Sequence, residues 1–576
     1  MKSKLNPRLF LLVFALPALA QAQTPAPNEF RSAVGSAAPT ATPASGNWTT
    51  AANWQKYDAV TAMNWILAPG NPGTTATALT TVITGSAMTL SASSGANTLL
   101  VQTGASIKWG SGTAAQGLRI SGTTLTNNGL IGGAPIDDSI NLEVSGSGLT
   151  YTLTGSGTTI VNRLRAYYGL VGTTIVLDMP VTFTNQSASL GSAVGLTGYY
   201  SSSTGSTTGE NITVTINPGK TISFVNYATL HYASKYYANV GGAYTYNVNG
   251  IANMWNSKGT TFFSANGNTS TSVTTLNVSG LLITPAIWSS IDSLSPTQTT
   301  PGTVHMNILA GGIVDATQTD FKLDDSTTFV MADGTAMMKR FVGPQDTTYP
   351  ISTSYKGNNT VVLHNSGTAD TFAVSLQTFN IPVVTSDLTT VVNREWTIKE
   401  AGTGGKLDSV KLTWLAAEAG SAIGTTPSVY VRPATGGTQI EYASGTNVTV
   451  TGSGTLASPY VATVGVAAGA PAGTYFVGKP GLPTAVANVA NSGLNVTVAP
   501  NPTANKQINF QISGSKAGTY KVAVTNMAGQ VVYRNEVNYN ASATNYKVNM
   551  SNMPAGVYQL QISNSQTNIG NRVVVE

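Results

Sequence analysis

Tyr246-Asn247-Val248-Asn249-Gly250, Leu276-Asn277-Val278-Ser279-Gly280 and Ile308-Leu309-Ala310-Gly311 are three copies of one unit. Each is a short strand with apolar residues at every second position, closed by a glycine-centred turn. Period-2 patterning places alternate side chains on opposite faces of a strand. The unit extends backwards through Ile216-Asn217-Pro218-Gly219, Leu142-Glu143-Val144-Ser145-Gly146, Leu118-Arg119-Ile120-Ser121-Gly122 and Leu100-Val101-Gln102-Thr103-Gly104. The later turn glycines recur roughly every 30 residues and the earlier ones roughly every 20, a period that points to stacked repeats. A single repeat cannot bury its apolar face alone, so several copies must stack. The expected fold of residues 46–340 is therefore a parallel β-solenoid. A series of β-sandwiches is the competing arrangement, because it also produces short strands at regular spacing. With 60 glycines, charged residues at 9% and no cysteine, the whole chain reads as all-β with a surface of Thr, Ser, Asn and Gly.

Two further segments flank the repeats. Gly46-Asn47-Trp48 and Asn53-Trp54 resemble the G-x-W…W entry that precedes β-helical passengers of secreted bacterial proteins. Together with Trp65 they are expected to cover the open first repeat, where strand edges and apolar side chains would otherwise meet water. After Arg340 the alternation becomes longer and more regular, through Val391-Val392-Asn393-Arg394-Glu395-Trp396 and Val410-Lys411-Leu412-Thr413-Trp414 to Gly473-Thr474-Tyr475-Phe476-Val477-Gly478. This predicts an Ig-like β-sandwich over 341–480, with Trp396 and Trp414 pointing inward from two strands. It is similar to modules found before the C-terminal domain of secreted Bacteroidetes proteins. Residues 23–45 and 481–493, rich in Pro, Ala, Thr and Ser, read as linkers.

The C-terminal stretch 494–576 has its own grammar. Ile508, Phe510 and Ile512 alternate with polar residues, as do Tyr520, Val522 and Val524. Ala528-Gly529 sits between two such runs, as a hairpin turn would. Pro500 and Pro502 cannot donate to a ladder, so they suit a segment leading into a first strand. Val498-Ala499-Pro500-Asn501-Pro502, Asn526-Met527-Ala528-Gly529 and Met553-Pro554-Ala555-Gly556-Val557-Tyr558 occur in that order. Together these motifs resemble the type A C-terminal sorting domain of the type IX secretion system of Bacteroidetes-type bacteria. The resemblance implies a seven-stranded sandwich, recognition by the outer-membrane translocon and removal by a sortase-like protease. The sorting-signal residues would be Pro500, Asn501, Pro502, Gly529, Gly556 and Tyr558. The mature protein would then be extracellular or held at the cell surface.

The N-terminus agrees with export. Lys2, Lys4 and Arg8 precede the short apolar run Leu9–Leu16, and Ala20 and Ala22 mark small-residue cleavage sites, which makes residues 1–22 a signal peptide. The run is shorter than the roughly 20 residues that span a bilayer, and no later stretch is apolar for as long. The absence of cysteine rules out a lipidated cysteine, disulfides and thiolate metal sites.

Net charge is +5, but its distribution matters more than its sign. Lys2, Lys4 and Arg8 belong to the leader. The C-terminal stretch carries Lys506, Lys516, Lys521, Arg534, Lys547 and Arg572 against Glu536 and Glu576. The passenger between them is close to neutral and lacks the basic face that nucleic-acid binding requires.

Catalytic chemistry finds little support. Solenoids carry polysaccharide lyases and hydrolases, and glycoside hydrolysis needs two carboxylates across one bond. Asp137-Asp138 and Asp324-Asp325 are adjacent pairs, whose side chains leave a strand on opposite faces. Arg163 and Arg165 share a face, but no acidic cluster lies near them in sequence. Asp315, Asp320, Asp324, Asp325 and Asp333 form the densest acidic stretch. Asp320, Asp324 and Asp325 are the candidate Ca²⁺ ligands, with turn capping the competing role. Tyr232, Tyr236, Tyr244 and Tyr246 are candidates for stacking on sugar rings, the alternative being that they stack on one another inside the repeats. The functional expectation is a secreted or surface-bound structural or adhesive protein that contacts polysaccharide or matrix. The alternative is a carbohydrate-active enzyme or carbohydrate-binding protein on the same scaffold.

Overall fold

A computed structural model describes residues 30–32, 46–58, 64–67, 71–72, 81–84, 87–110, 116–133, 140–166, 170–184, 211–228, 230, 243–258, 261–262, 273–289, 303–323, 328–379, 388–433, 440–482, 494–503, 505–514, 517–526, 530–564 and 568–576. Among these residues every element is a strand or a short 3-10 turn, so the protein is all-β as its composition requires. It divides into two compact units, 1–377 with 400–405, and 378–399 with 406–576.

The first unit is built on parallel ladders. The first ladder is a fourteen-stranded sheet. From Thr81–Thr84 to Ile351–Ser352, each strand pairs in parallel with the strand one repeat further along the chain. A second parallel ladder runs from Gly46–Asn47 to Met337–Val342, whose other neighbour, Asp370–Gln377, is antiparallel. Two shorter parallel sheets supply further segments, Ser94–Ala96 to Arg163–Ala166 and Thr261–Phe262 to Asp320–Lys322.

Stacking of identical strand positions builds the core. Register aligns Tyr151, Ile175, Val214, Tyr246, Leu276, Met306, Phe329 and Ile351 into one column, and all eight are buried. From the second ladder come Phe183, Ile222, Phe224, Met254, Leu282, Val314 and Met338, also buried; the rings of Phe183 and Phe224 sit 5.6 Å apart. Each fully buried apolar side chain contributes about 1.5–3 kcal/mol relative to exposure.

The turn glycines serve two purposes. Gly311 adopts φ +74, a left-handed conformation that costs a side-chain-bearing residue. At Gly280 a Cβ would stand 2.1 Å from the carbonyl oxygen of Gly250 in the preceding repeat. There it is the close stacking of turns that demands glycine.

At the N-terminal end, Trp54–Asp58 pairs antiparallel with both Phe30–Ser32 and Asn64–Leu67, continuing the first ladder. Trp48 and Trp54 are fully buried and meet edge to face at 4.9 Å. The indole Nε1 of Trp54 donates to the Trp48 carbonyl at 2.8 Å. The segment 23–45 is therefore not entirely linker. Phe30-Arg31-Ser32 is a strand, parallel to Thr81–Thr84, with Phe30 buried. Three residues inside a Pro- and Ser-rich stretch are too few to register as a period, and only the edge of the ladder gives them a partner.

The boundary expected at 340/341 also shifts. It falls inside the strand Met337–Val342, which pairs with both ladder neighbours, and residues 341–377 belong to the first unit. The change in alternation near Arg340 marks the point where the second ladder turns from parallel to antiparallel pairing, while the first ladder stays parallel as far as Ile351–Ser352.

In the second unit, Val391–Glu400, Gly473–Gly478, Ser428–Pro433 and Ile440–Ala443 form antiparallel pairs, as do Leu407–Trp414, Tyr460–Ala470 and Val448–Thr451. Trp396 and Trp414 are buried on two of these strands. Tyr430 stacks on Phe476 with ring centroids 4.9 Å apart. Among the described residues no helix is long and apolar enough to cross a membrane.

Candidate functional site: the C-terminal domain

Residues 494–576 fold into a three-stranded and a four-stranded antiparallel sheet. Leu494–Val498, Gln507–Gly514 and Thr544–Asn549 make the first. Val531–Tyr539, Gly518–Asn526, Gly556–Ser563 and Asn568–Val575 make the second. Ile508, Phe510, Ile512 and Val548 share one core with Tyr520, Val522, Val524, Leu560, Ile562 and Val573. The two alternating runs thus supply the facing sides of a sandwich.

Pro500-Asn501-Pro502 lies between the first two strands, not ahead of the first. Leu494-Asn495-Val496-Thr497-Val498 is itself a strand, paired with Gln507–Gly514. The Ala499–Pro500 and Asn501–Pro502 peptides are both cis. Asn501 is exposed yet doubly bonded to the last strand. Its Nδ2 donates to the Arg572 carbonyl at 2.8 Å, and its Oδ1 accepts from the Val574 amide at 2.8 Å. The Thr503 amide donates to the Val574 carbonyl (2.8 Å), and the Glu576 amide to the Thr503 carbonyl (2.9 Å). The proline motif and the chain terminus are one hydrogen-bonded unit, although more than seventy residues separate them.

Tyr558 is buried, and its hydroxyl donates to the Pro554 carbonyl at 2.7 Å. Lys506 Nζ donates to the Met553 carbonyl at 3.2 Å, and the Met550 amide to the Lys506 carbonyl at 2.8 Å. This ties the Met553–Tyr558 motif to the segment that follows Pro502. Gly556 pairs with Val575; a Cβ there would meet only Tyr558 Cε2, at 3.9 Å, so packing does not account for the glycine. Gly529 lies outside the described residues, but the strands that flank it pair as a hairpin, closed by the Asn526 amide donating to the Gln530 carbonyl at 3.0 Å. On the outer face of the three-stranded sheet, a shallow concavity of about 420 Å³ is lined by Thr497, Ala499, Asn509, Gln511, Asn545 and Lys547.

The candidates in the passenger are distributed differently. Tyr246 is 1% exposed and belongs to the core column, so its ring is closed to any ligand. Tyr244 is half-buried on the same side of its strand. Tyr232, Tyr236, Asp324, Asp325, Ala20 and Ala22 lie outside the described residues. Asp320 is exposed on the edge of a short parallel sheet. Asp315 and Asp333 cap turns. Asp315 accepts from the Thr317 hydroxyl at 2.8 Å, and Asp333 from the Thr335 amide at 2.8 Å and hydroxyl at 2.5 Å. The Thr335 bonds hold the Asp333 carboxyl below the usual carboxylate range. Among the described residues no three His, Asp or Glu side chains converge as metal ligands.

Sequence reasoning missed Glu143. Register sets it between Arg119 and Arg165 on adjacent strands, and Arg119 Nη2 reaches it at 2.8 Å. Arg163 donates from Nε to Asn141 at 3.1 Å. The neighbours come from strands more than twenty residues away, so proximity in sequence carried no signal.

No curated protein matches the chain. Residues 497–576 match the family described as the secretion system C-terminal sorting domain. A sorting domain of this kind engages the type IX secretion machinery. The chain carries a type IX secretion C-terminal sorting domain at 497–576 and is exported to the extracellular space or the cell surface.

Proposed function

We propose that the exported passenger is a β-solenoid, capped by Trp48 and Trp54 and followed by an Ig-like module, that serves as a structural or adhesive element contacting polysaccharide or matrix. One observation carries this reading. The first parallel ladder runs without interruption from Thr81–Thr84 to Ile351–Ser352, and its outward positions are dominated by Thr and Asn. A stacked scaffold of this kind presents an extended surface rather than a single pocket. Several carboxylates of this unit are engaged structurally: Glu143 pairs with Arg119, Asp178 with Asn217 and Lys220, and Asp315 and Asp333 cap turns.

The test is retention of the chain on a panel of polysaccharides and glycans, with reducing-sugar and unsaturated-product release assayed in the same wells. Retention without product release supports a binding surface. Product release overturns it in favour of a carbohydrate-active enzyme. Neither retention nor release points to a purely structural surface component.

A further inference from the structure

Two outward columns run along the first ladder. Register aligns Thr150, Thr174, Thr213, Thr245, Thr275 and His305 in one, and Thr152, Val176, Thr215, Asn247, Asn277 and Asn307 in the other. Adjacent strands stand about 4.8 Å apart, so six strands extend each column over roughly 24 Å. Neither column contains a carboxylate, ammonium or guanidinium group.

The second column is ordered by its own hydrogen bonds. Asn247 Nδ2 donates to Thr215 Oγ1 at 3.3 Å, Asn277 Nδ2 to Asn247 Oδ1 at 3.0 Å, and Asn307 Nδ2 to Asn277 Oδ1 at 2.9 Å. An amide has two N–H donors and two acceptor lone pairs. Each link uses one donor of one residue and one lone pair of the next, which fixes the orientation and leaves the second donor and lone pair for a ligand. At the end of the first column the His305 ring meets Tyr355 edge to face at 4.4 Å. Tyr355 remains 43% exposed, which is an aromatic platform in line with the hydroxyl and amide tracks.

We infer that this face is a docking track for one extended, uncharged polysaccharide chain, with its hydroxyls on the Thr and Asn columns and a sugar ring against Tyr355. The inference rests on the polysaccharide reading above and gives it a location. Three features select this occupant. Donors and acceptors repeat at a spacing comparable to the advance of one sugar along an extended chain. The Thr and Asn columns carry no carboxylate, ammonium or guanidinium to attract an acidic polymer; a cation stands only beside the platform, where Lys356 Nζ lies 5.6 Å from the Tyr355 ring centroid. Sugar rings offer the apolar face that aromatic side chains pack against. A protein partner would be expected to need an apolar centre in the patch, which these columns lack.

The experiment uses the full exported chain. It measures retention on microcrystalline cellulose, chitin and xylan, with alginate and polygalacturonate as acidic probes. Thr213→Lys/Thr245→Lys places charge and bulk on the track, Thr245→Val removes one hydroxyl at constant shape, and Tyr355→Ala removes the platform. Trp255→Ala removes an exposed aromatic on the second ladder. Melting temperatures check folding of each variant. The expected result is retention of the parent on a neutral polymer, a tenfold or greater loss in the double variant and in Tyr355→Ala, and parental binding by Trp255→Ala. Parental binding by the track variants would overturn the location while leaving the broader reading in place. Salt-sensitive retention on the acidic polymers alone would overturn the neutral ligand. No retention of the parent on any polymer would overturn both.

Discussion

Arg119 grips one oxygen of Glu143 with two donors, Nε at 3.0 Å and Nη2 at 2.8 Å, between strands in register. Glu143 is 1% exposed and Arg119 13%, so both charges are largely withdrawn from water. Removing one partner of a buried pair strands the other charge, at about 3–5 kcal/mol. Glu143→Ala is expected to destabilise the first unit by that order, read as a lower denaturation midpoint. Replacing both, as Arg119→Met with Glu143→Leu, is expected to recover most of the loss, because the desolvation cost disappears with the charges. Gly117→Ala is expected to be destabilising as well, since its Cβ would stand 2.5 Å from Glu143 Oε1.

The amide column predicts a sharp asymmetry between isosteres. Asn277 donates to Asn247 and accepts from Asn307. An aspartate at 277 has no N–H to donate, so two acceptors would face each other. Asn277→Asp is expected to cost about 1–2 kcal/mol at neutral pH and to recover as the carboxyl protonates at acidic pH. Thermal melts across pH 3–7 (about one unit to either side of an ordinary carboxyl pKa, allowing for an upward shift) check this. A flat profile equal to the parent's would show that the column contributes nothing.

Tyr430 makes the second unit sensitive to alkali. Burial pushes its phenol up to about 12. Its hydroxyl donates to the Lys479 carbonyl at 2.7 Å and accepts from the Leu482 amide at 3.0 Å. Folding thus holds the proton more tightly than the unfolded chain, whose tyrosines titrate near 10. This stabilisation is complete below about pH 10 and is lost as pH rises from there toward 12, at up to about 1.4 kcal/mol per pH unit. Tyr430→Phe is expected to lower stability at neutral pH by about 1–3 kcal/mol, through the unpartnered Leu482 amide and Lys479 carbonyl, and to flatten the alkaline decline. Denaturant midpoints at pH 8, 10 and 11, chosen to bracket the ordinary tyrosine pKa of about 10, supply the measurement.

In the sorting domain, Asn501→Ala removes both bonds to the last strand. The expected loss is about 1–3 kcal/mol, read as a lower melting temperature and faster amide exchange at Val574. Asn501→Asp keeps the acceptor for Val574 but gives up the donor to Arg572, so it is expected to fall between the parent and the alanine variant. Equal stability of all three would mean that the motif is kept for recognition alone.

Trp54→Phe tests the N-terminal end of the ladder. The ring is fully buried, and its Nε1 reaches the Trp48 carbonyl at 2.8 Å. Loss of that bond and of ring volume is expected to cost about 2–3 kcal/mol. Proteolysis beginning in 46–58 before the rest of the first unit opens is the accompanying signature.

What was legible from the chain alone is what local periodicity records. Alternation at Ile508, Phe510 and Ile512 and at Tyr520, Val522 and Val524 specified strands and their buried faces, and the ordered motifs from Pro500 to Tyr558 specified a sorting domain. Recurrent strand–glycine units announced stacking. Tertiary structure decided everything that depends on which strand lies beside which. Register placed Glu143 against Arg119, aligned Asn247, Asn277 and Asn307, drew Tyr246 into the core, and carried the parallel ladder past Arg340. It also bound Asn501 to Val574. The physical reason is that a strand's own sequence states which face is apolar, whereas its neighbours across a ladder are one repeat away and are chosen by stacking of whole columns.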